Sequence, residues 1–359
     1  MSGPEPLTNS SSSSSRSGGT EARETVLVDL ALQGGGSHGA FTWGVLDRLL
    51  DENWLQVTGI SGTSAGAMNA AVFADGYAAG GAKGAQTALA NYWEAVADAA
   101  RFSPFQRTPI DKMMGRWSLD QSPLFIAMDM MSRLFSPYDL NPGNINPLAP
   151  ILEKYIDFDR LRNSAVKIFI TATNVRTGRG RVFSNSEITP EILLASACLP
   201  TLFQAVEIDG ESYWDGGYTG NPTLTPLVRA LESSDTILVP INPIERLGTP
   251  RSAAEILNRL NEVSFNSTTL KELRMMALLR QVADPGNSEG ALWARKRLHL
   301  IRNDIMQTLD YSSKLNAERE FLHMLREEGR AAADAFLKKD GSSIGARSSV
   351  DMDVFLEGV

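Results

Sequence analysis

Two short apolar segments in the first part of the chain are each followed by a glycine-containing loop and then by a helical pattern. Residues 25–32 and 55–60 are mostly apolar, as expected of strands that are covered on both faces. Apolar residues at helical spacing follow at 41–50, and small residues follow at 67–72. A strand–helix–strand–helix order at this spacing predicts parallel strands joined by helices. The predicted fold class is therefore α/β, with a mostly parallel central sheet flanked by helices.

The rest of the chain divides into regions of different composition. Residues 1–23 contain six consecutive serines and few apolar side chains, so we expect a disordered tail. We assign residues 24–248 to one domain, in which about 101–150 are rich in Pro, Met and Phe and form a candidate insertion. Residues 249–359 are charged and mostly helical in pattern, and we expect a helical C-terminal extension. The later strand patterns are 166–173, 205–208, 212–214 and 236–241, the last of which is the final strand that the sequence predicts.

Composition argues against several classes of function. Asp and Glu number 42 against 34 Lys and Arg, a net charge of -8, which argues against binding nucleic acid through basic patches. The same balance makes any contact with a membrane apolar rather than electrostatic. Cys198 is the only cysteine, so no intrachain disulfide can form. The sequence has no apolar run of about 18 residues and no secretory signal pattern, from which we expect a cytoplasmic protein that touches membranes only peripherally.

The segment Gly62-Thr63-Ser64-Ala65-Gly66 lies between the second strand and its helix, and it fits the G-x-S-x-G pattern of a nucleophile elbow. A sharp strand-to-helix turn exposes the Ser64 hydroxyl, and the flanking glycines leave room for the turn. The helix N-terminus favours the negative charge that develops when a nucleophile attacks a carbonyl group. Glycine-flanked serines also occur in ordinary turns, and the strand and helix on either side favour a nucleophile here.

The loop Gly34-Gly35-Gly36-Ser37-His38-Gly39 follows the first strand and has two functional interpretations. Three successive glycines expose backbone N–H groups, which would suit an oxyanion hole. The same residues match G-x-G-x-x-G, the dinucleotide-binding pattern, which requires an acidic residue at the end of the next strand. Ile60 at that place is followed by Ser61 and Gly62, so the dinucleotide interpretation fails.

A serine nucleophile needs a base, and the chain offers three histidines and one well-placed aspartate. His38 lies in the glycine loop, whereas His299 and His323 lie in the charged helical region, where a histidine is ordinarily solvated or packed. The segment Asp215-Gly216-Gly217 follows a strand, and its paired glycines let a short carboxylate approach another group closely. An Asp-Gly-Gly segment is also an ordinary hairpin turn, and these residues alone leave both interpretations open.

Taken together, these motifs resemble the patatin-like phospholipase family. The resemblance rests on the glycine loop 34–39, the elbow 62–66 and the segment 215–217, which occur in the family's order, and it covers about residues 26–242. Supporting segments are 195–197 with Pro200, 221–222 and, in the helical region, 312–318, which is similar to bacterial members with a C-terminal extension.

The resemblance implies a Ser–Asp dyad that cleaves acyl esters of phospholipids or related lipids through an acyl-enzyme, without a metal or cofactor. Ser64 would be the nucleophile and Asp215 the general base, which would also activate the water that releases the acyl group. The family usually has Arg or Lys where this chain has His38, so a positive charge there would require protonation of the histidine. The residues implied for the oxyanion hole are Gly34, Gly35, Gly36 and Ala65, and those that support the motifs are His38, Gly39, Gly62, Gly66, Gly216 and Gly217.

Three rival interpretations use the same residues differently. An α/β-hydrolase would complete a triad of Ser64, Asp215 and His299, which occur in the chain order of that class. An acyltransferase would form the same acyl-enzyme but exclude water, and a lipid-binding protein without activity would form nothing covalent on Ser64. We also expect residues near 113–135, with their methionines, to form a mobile apolar lid over the site, although core packing is the more common use of methionine.

Overall fold

The structure, a computed structural model, describes residues 3, 23–101, 103, 105–283, 286 and 288–357. The tail predicted over residues 1–23 lies outside these ranges, apart from Gly3 and Arg23. No helix in the described part of the chain is long and apolar enough to cross a membrane.

One sheet, with eight strands over the described residues, forms the centre of the fold. The strands are β1 (Val26–Leu32), β2 (Leu55–Gly62), β3 (Lys167–Asn174), β4 (Gly180–Ser184), β5 (Val206–Ile208), β6 (Glu211–Asp215), β7 (Asp235–Val239) and β8 (Arg297–Leu300). Their order across the sheet is β5–β6–β3–β2–β1–β7–β8, with β4 also paired to β3. The pairs β3–β2, β2–β1, β1–β7 and β7–β8 are parallel. β4 and β6 each pair antiparallel with β3, and β5 pairs antiparallel with β6. This arrangement confirms the predicted α/β fold with a mostly parallel sheet.

Helices cover both faces of this sheet. They are α1 (Gly39–Leu49), α2 (Ala65–Ala100), α3 (Pro109–Met113), α4 (Pro123–Leu134), α5 (Pro137–Leu140), α6 (Ala149–Tyr155), α7 (Phe158–Arg162), α8 (Pro190–Ser196), α9 (Thr225–Ala230), α10 (Ala253–Val282), α11 (Glu289–Arg295), α12 (Ile305–Thr308) and α13 (Arg319–Asp340). Short 3₁₀ turns at Gly36–His38, Gly216–Tyr218 and Ser312–Leu315 lie near the site described below.

The central strand β1 shows why the sheet is buried on both faces. Leu30 and Leu32 belong to the apolar core that α1, α2 and α13 cover. Ala31 belongs to a second core, where it joins Leu238 and Trp293 beneath α9, α10 and α11. Because side chains of a strand alternate between the two faces of a sheet, an uninterrupted apolar strand such as β1 needs cover on both sides.

The C-terminal region completes the sheet. β8 pairs in parallel with β7, although the sequence predicted no strand after residue 241. The charged residues around β8 have buried partners: Lys296 donates to the Asp29 carboxylate, and Arg297 and His299 both contact Asp235. These carboxylates neutralise the charges of the segment around β8. The segment is therefore buried in the core, although its composition is that of an exposed helix or loop.

The last long helix packs closely against the first. A Cβ on Gly44 of α1 would lie 1.9 Å from the Arg326 carbonyl oxygen, and a Cβ on Gly329 of α13 would lie 2.0 Å from that of Phe41. Only glycine therefore permits this approach of the two backbones. The contact holds α13 against the helix that follows the glycine loop.

Candidate active site

Ser64 occupies a sharp turn between β2 and α2. Its backbone angles, φ 55° and ψ -122°, lie outside the regions that non-glycine residues ordinarily adopt. A Cβ on Gly62 would lie 2.4 Å from the Gly66 carbonyl oxygen, and a Cβ on Gly66 would lie 2.2 Å from that of Leu32, so the turn requires both glycines. It places Ser64 at the N-terminus of α2, which is the geometry of a nucleophile elbow.

Buried hydroxyl groups hold this turn in place. Ser196 Oγ accepts a hydrogen bond from the Ser64 N–H at 2.9 Å and donates one to the Thr171 carbonyl at 2.7 Å. Thr63 Oγ1 donates to the Gly220 carbonyl at 2.7 Å. A strained backbone persists only where its surroundings fix it. These hydrogen bonds therefore account for the fixed position of Ser64.

Asp215 is the last residue of β6, and its carboxylate is buried. Its Oδ1 accepts the Gly217 N–H at 2.7 Å. Within the described residues Oδ2 makes no hydrogen bond of ordinary distance and angle, although the Ser64 hydroxyl is near enough to lower the pKa of the carboxyl group. A Cβ on Gly216 would lie 2.1 Å from the Thr171 carbonyl oxygen, so this position also requires glycine. One carboxylate oxygen thus remains available to take a proton.

The protein environment makes the Asp215 carboxylate an unusually strong base. Burial raises the pKa of Asp215 to about 7, because desolvation disfavours the charged form. Hydrogen bonds from the Gly217 N–H and the Ser64 hydroxyl, and attraction to the Lys314 ammonium, offset part of this increase. A carboxyl group with a pKa near 7 accepts a proton far more readily at neutral pH than one with an ordinary pKa. Asp215 therefore has the basicity that a general base needs.

The glycine loop presents backbone N–H groups beside the elbow. Gly35, Gly36 and Ala65 line the same cavity as Ser64. Within the described residues, no carbonyl oxygen of a turn and no side chain accepts a hydrogen bond from the N–H groups of these three residues. A Cβ on Gly39, the first residue of α1, would lie 2.7 Å from the Cβ of Ala65, which shows how closely the loop approaches the elbow. Unoccupied backbone N–H groups beside a nucleophile are the kind of donor that can stabilise an oxyanion.

Gly34 has a different role from the one that the sequence indicated. Its N–H donates to Asn221 Oδ1 at 2.6 Å, so it is not free to bind an oxyanion. Its carbonyl oxygen accepts a hydrogen bond from Asn242 Nδ2 at 2.8 Å. A Cβ at this position would lie 2.6 Å from the Cβ of Ser64. Gly34 therefore fixes the loop close beside the nucleophile.

His38 is buried beneath the loop and does not line the cavity. Its Nε2 lies 2.8 Å from Ser313 Oγ, and its ring packs edge-on against Phe321. Burial, together with the nearby charges of Lys314 and Arg246, holds the pKa of His38 well below its usual range. A positive charge at this position would require protonation of His38, and the surroundings favour the neutral ring instead.

The other two histidines also lie away from the cavity. His299 in β8 is fully buried, with Nε2 2.9 Å from Asp235 Oδ1 and Nδ1 3.2 Å from Ser349 Oγ. His323 in α13 contacts Glu94 on α2. Since neither ring lines the cavity that contains the elbow, the geometry does not support the triad interpretation.

A cavity of about 670 Å³ opens at the elbow. Ser64, Asp215 and Lys314 contribute polar groups to its wall, and most other lining residues are apolar. A mostly apolar cavity of this size with a few polar groups is typical of a site for a small organic ligand or an acyl chain. The apolar lining includes Trp93, Val96, Leu148, Ile151, Leu199 and Phe203.

The insertion 101–150 forms part of the cavity wall. Met128 of α4 and Ile145 line the cavity. No residue of α4 is buried, and Met130 and Leu134 are 60% and 76% exposed. α4 therefore turns one apolar face to the cavity and another to solvent.

The first half of the insertion is anchored to the C-terminal region. The buried Arg107 side chain pairs with Glu318 at 2.8 Å, and the Leu119 N–H donates to Ser312 Oγ at 2.9 Å. The lid predicted over residues 113–135 therefore overlaps a segment that is held in place.

Sequence reasoning missed three residues that shape the site. Ser196 and Asn221 lie in segments that carry the family resemblance, but their hydrogen bonds to the elbow and the loop depend on tertiary structure. Lys314 likewise lies in the supporting segment 312–318, but its place in the cavity wall, 250 residues after Ser64, depends on tertiary structure. No group of three or more His, Cys, Asp or Glu in the described part of the chain could hold a metal ion.

The fold and the site define an α/β protein with a nucleophile elbow beside a glycine loop. The family model described as patatin-like phospholipase matches residues 30–228, more than half of the 359 residues. The chain therefore belongs to the patatin-like phospholipase family, which confirms the resemblance and places it among lipid acyl hydrolases in general.

The solved structure of VipD from Legionella pneumophila is similar to this chain with a TM-score of 0.37 and 14% sequence identity, over 87% of this chain and 67% of that chain. Comparison of the sequence with curated proteins gave no match.

Proposed function

We propose that this protein hydrolyses acyl esters of phospholipids or related lipids, with Ser64 and Asp215 as a catalytic dyad. The observation that carries the proposal is a buried carboxylate with one unpartnered oxygen beside a serine held in a strained turn. A serine nucleophile requires a base of suitable pKa within reach. Asp215 supplies that base, and the family supports the choice of a lipid ester as substrate.

In the first half of the reaction, Asp215 Oδ2 takes the proton from Ser64 Oγ as this oxygen attacks the ester carbonyl carbon. The resulting oxyanion accepts hydrogen bonds from the N–H groups of Gly35, Gly36 and Ala65. The bond to the alcohol then breaks, the alcohol leaves with the proton from Asp215, and the acyl group stays on Ser64. In the second half, Asp215 takes a proton from water, and the water oxygen attacks the acyl carbon. The proton returns to Ser64 as the fatty acid leaves.

The cavity supports an acyl chain as the group that binds beside Ser64. Its volume of about 670 Å³ and its apolar walls suit a hydrocarbon chain, whereas a small hydrophilic ester would gain little there. The apolar outer face of α4 offers a contact for lipid aggregates near the same cavity. The products expected are a free fatty acid and the remaining alcohol, in the manner of a phospholipase A or a lysophospholipase.

Labelling with a fluorophosphonate probe, followed by assay on a panel of lipids, tests the proposal. The wild-type protein should be labelled on Ser64 and should release fatty acid. Ser64→Ala should lose both properties. Ser132→Ala is a matched control, because Ser132 lines the same cavity but does not lie on the elbow, and it should keep both.

Two results would contradict parts of the proposal. Labelling and turnover that survive in Ser64→Ala would remove Ser64 as the nucleophile. Acyl transfer to an added alcohol that exceeds fatty acid release would favour an acyltransferase with the same acyl-enzyme.

A further inference from the structure

Lys314 brings a positive charge to the cavity from the C-terminal region. It is 9% exposed, and it lines the same cavity as Ser64 and Asp215. Its backbone lies directly against the glycine loop: a Cβ on Gly36, where φ is +58°, would lie 2.4 Å from the Lys314 carbonyl oxygen and 3.4 Å from its Cβ. The Cβ end of the lysine side chain therefore lies beside the glycine loop, and the side chain forms part of the cavity wall.

The direct partners of the Lys314 ammonium are neutral. Nζ donates to Asn242 Oδ1 at 2.8 Å and to Asn261 Oδ1 at 2.7 Å. Among the residues that the structure describes, no carboxylate lies within ion-pair distance of Nζ, and no nitrogen or oxygen atom accepts its third N–H. The rings of Phe265 and Tyr311 lie 5.7 and 5.9 Å from Nζ. An ammonium group has three donors, so one of them remains available to a ligand.

No carboxylate of the described residues pairs directly with this charge. Glu262 and Asp215 attract the ammonium at longer range, and the Glu262 carboxylate already binds Arg246 and Arg259. Burial lowers the pKa of Lys314 to about 8, so the group is still mostly charged at neutral pH. Over the described residues, the cavity lining contains no other Lys, Arg or His. A buried cation without a paired anion is costly, and a bound anion would remove that cost.

We propose that Lys314 selects ester substrates that carry an anionic oxygen group, a phosphate or a carboxylate, close to the ester bond that is cleaved. The inference rests on the proposed hydrolase function and adds the charge of the substrate to it. The substrate anion accepts the third N–H of Nζ as a charge-assisted hydrogen bond. Asn242, which binds Nζ, also donates to the Gly34 carbonyl of the glycine loop. This contact therefore lies near the reacting carbonyl group, away from the far end of the acyl chain.

The test compares two matched pairs of esters. One pair is 1-oleoyl lysophosphatidic acid and 1-oleoylglycerol in the same neutral detergent, which differ by the phosphate. The other pair is the 4-nitrophenyl ester of succinic acid and that of its monomethyl ester, which differ by the carboxylate. The quantity measured is the ratio of kcat/KM for the anionic member to that for the neutral member of each pair. This ratio cancels any effect of Lys314 on the basicity of Asp215, since that effect applies to both members.

The wild-type protein should have a higher kcat/KM for the anionic member of at least one pair. A preference in the first pair indicates recognition of a phosphate, and a preference in the second pair indicates recognition of a carboxylate. Lys314→Met should lower that ratio about 10- to 100-fold, the range expected for one hydrogen bond between charged groups. Lys338→Met is the control, because Lys338 is exposed on α13 and pairs with Asp334 on the surface. Its ratio should equal that of the wild type.

A second variant keeps the proposal testable where Lys314→Met fails to fold. Asn261→Asp keeps Lys314 and places a carboxylate on its ammonium with almost no change of shape, so it should lower the ratio in the same direction. Wild-type ratios near one in both pairs, or equal losses on both members in the folded variants, would overturn the proposal. These results differ from a failure of the proposed hydrolase, in which neither member of any pair is cleaved and Ser64 is not labelled.

Discussion

Replacing Asp215 by Asn should make the protein more stable at neutral and alkaline pH while removing its activity. Asn has almost the same shape as Asp and keeps an oxygen for the Gly217 N–H, but it cannot ionise. The wild-type carboxylate is desolvated, so its ionisation opposes folding. The gain in the free energy of unfolding should therefore grow as the pH rises above the pKa of Asp215 in the unfolded chain, and it should be complete above the pKa of Asp215 in the folded protein.

The magnitude follows from the pKa of Asp215 in the two states. The pKa rises from an ordinary 3.8 to about 7 on folding, and about three units at about 1.4 kcal/mol each amount to about 4 kcal/mol. Below about pH 4 both states hold the proton, and the variant should gain nothing. Between about pH 4 and pH 7 the unfolded chain loses the proton first, so wild-type stability falls by this amount as pH rises. Above about pH 7 the loss is complete, and the variant keeps its full advantage.

Urea unfolding followed by circular dichroism at pH 4.5 and pH 8 measures this difference. Asp209→Asn is the control, because Asp209 is an exposed carboxylate in the turn between β5 and β6. It should show no gain that depends on pH. An Asp215→Asn protein whose gain is the same at both pH values, or which is less stable than wild type at pH 8, would refute the assignment of a desolvated carboxylate.

The pH profile, the surface of α4 and a buried histidine each give a further test. The rate of hydrolysis of a neutral short ester should rise with pH and reach half its plateau near pH 7, where Asp215 ionises. His38→Gln should leave this midpoint unchanged, because the His38 ring is already neutral. A shifted midpoint in that variant would show that the charge of His38 matters. The activity of the double variant Met130→Ser, Leu134→Ser on phospholipid vesicles should fall about tenfold or more, whereas its activity on a short ester should stay the same. Equal losses on both substrates would show that α4 does not contact lipid. His299→Gln should lower the melting temperature, because the buried partners of His299 lose hydrogen bonds. Turnover per protein molecule labelled with fluorophosphonate should stay at the wild-type value. A loss of that turnover would support the triad of Ser64, Asp215 and His299.

The parts of the fold and the site that the sequence predicts are those with a local signal. β1 and β2 are apolar runs followed by glycine motifs, and each motif fixes its own turn through close backbone contacts. The placement of Ser64 at the start of α2 follows from the pentapeptide around it. Asp215 at the end of β6 follows from the Asp-Gly-Gly segment together with its place in the order of motifs.

The parts that the sequence did not predict depend on distant partners. β8 is four residues long and carries Arg297 and His299, whose charge and polarity suggest exposure until Asp235 is seen beside them. The N–H of Gly34 is indistinguishable in sequence from those of its neighbours, and only the structure shows that it donates to Asn221. The position of Lys314 in the cavity likewise requires the whole C-terminal region to have folded onto the glycine loop.

The late position of β8 in the chain affects how the protein is made. β7 ends at Val239 and β8 begins at Arg297, so 57 residues lie between these two neighbours in the sheet. At a ribosomal rate of about 5–20 residues per second, the outer edge of β7 waits about 3–12 s for its partner. An open strand edge pairs readily with other chains. A product released before residue 297 carries that edge permanently, so it is prone to aggregate even though both Ser64 and Asp215 have been synthesised.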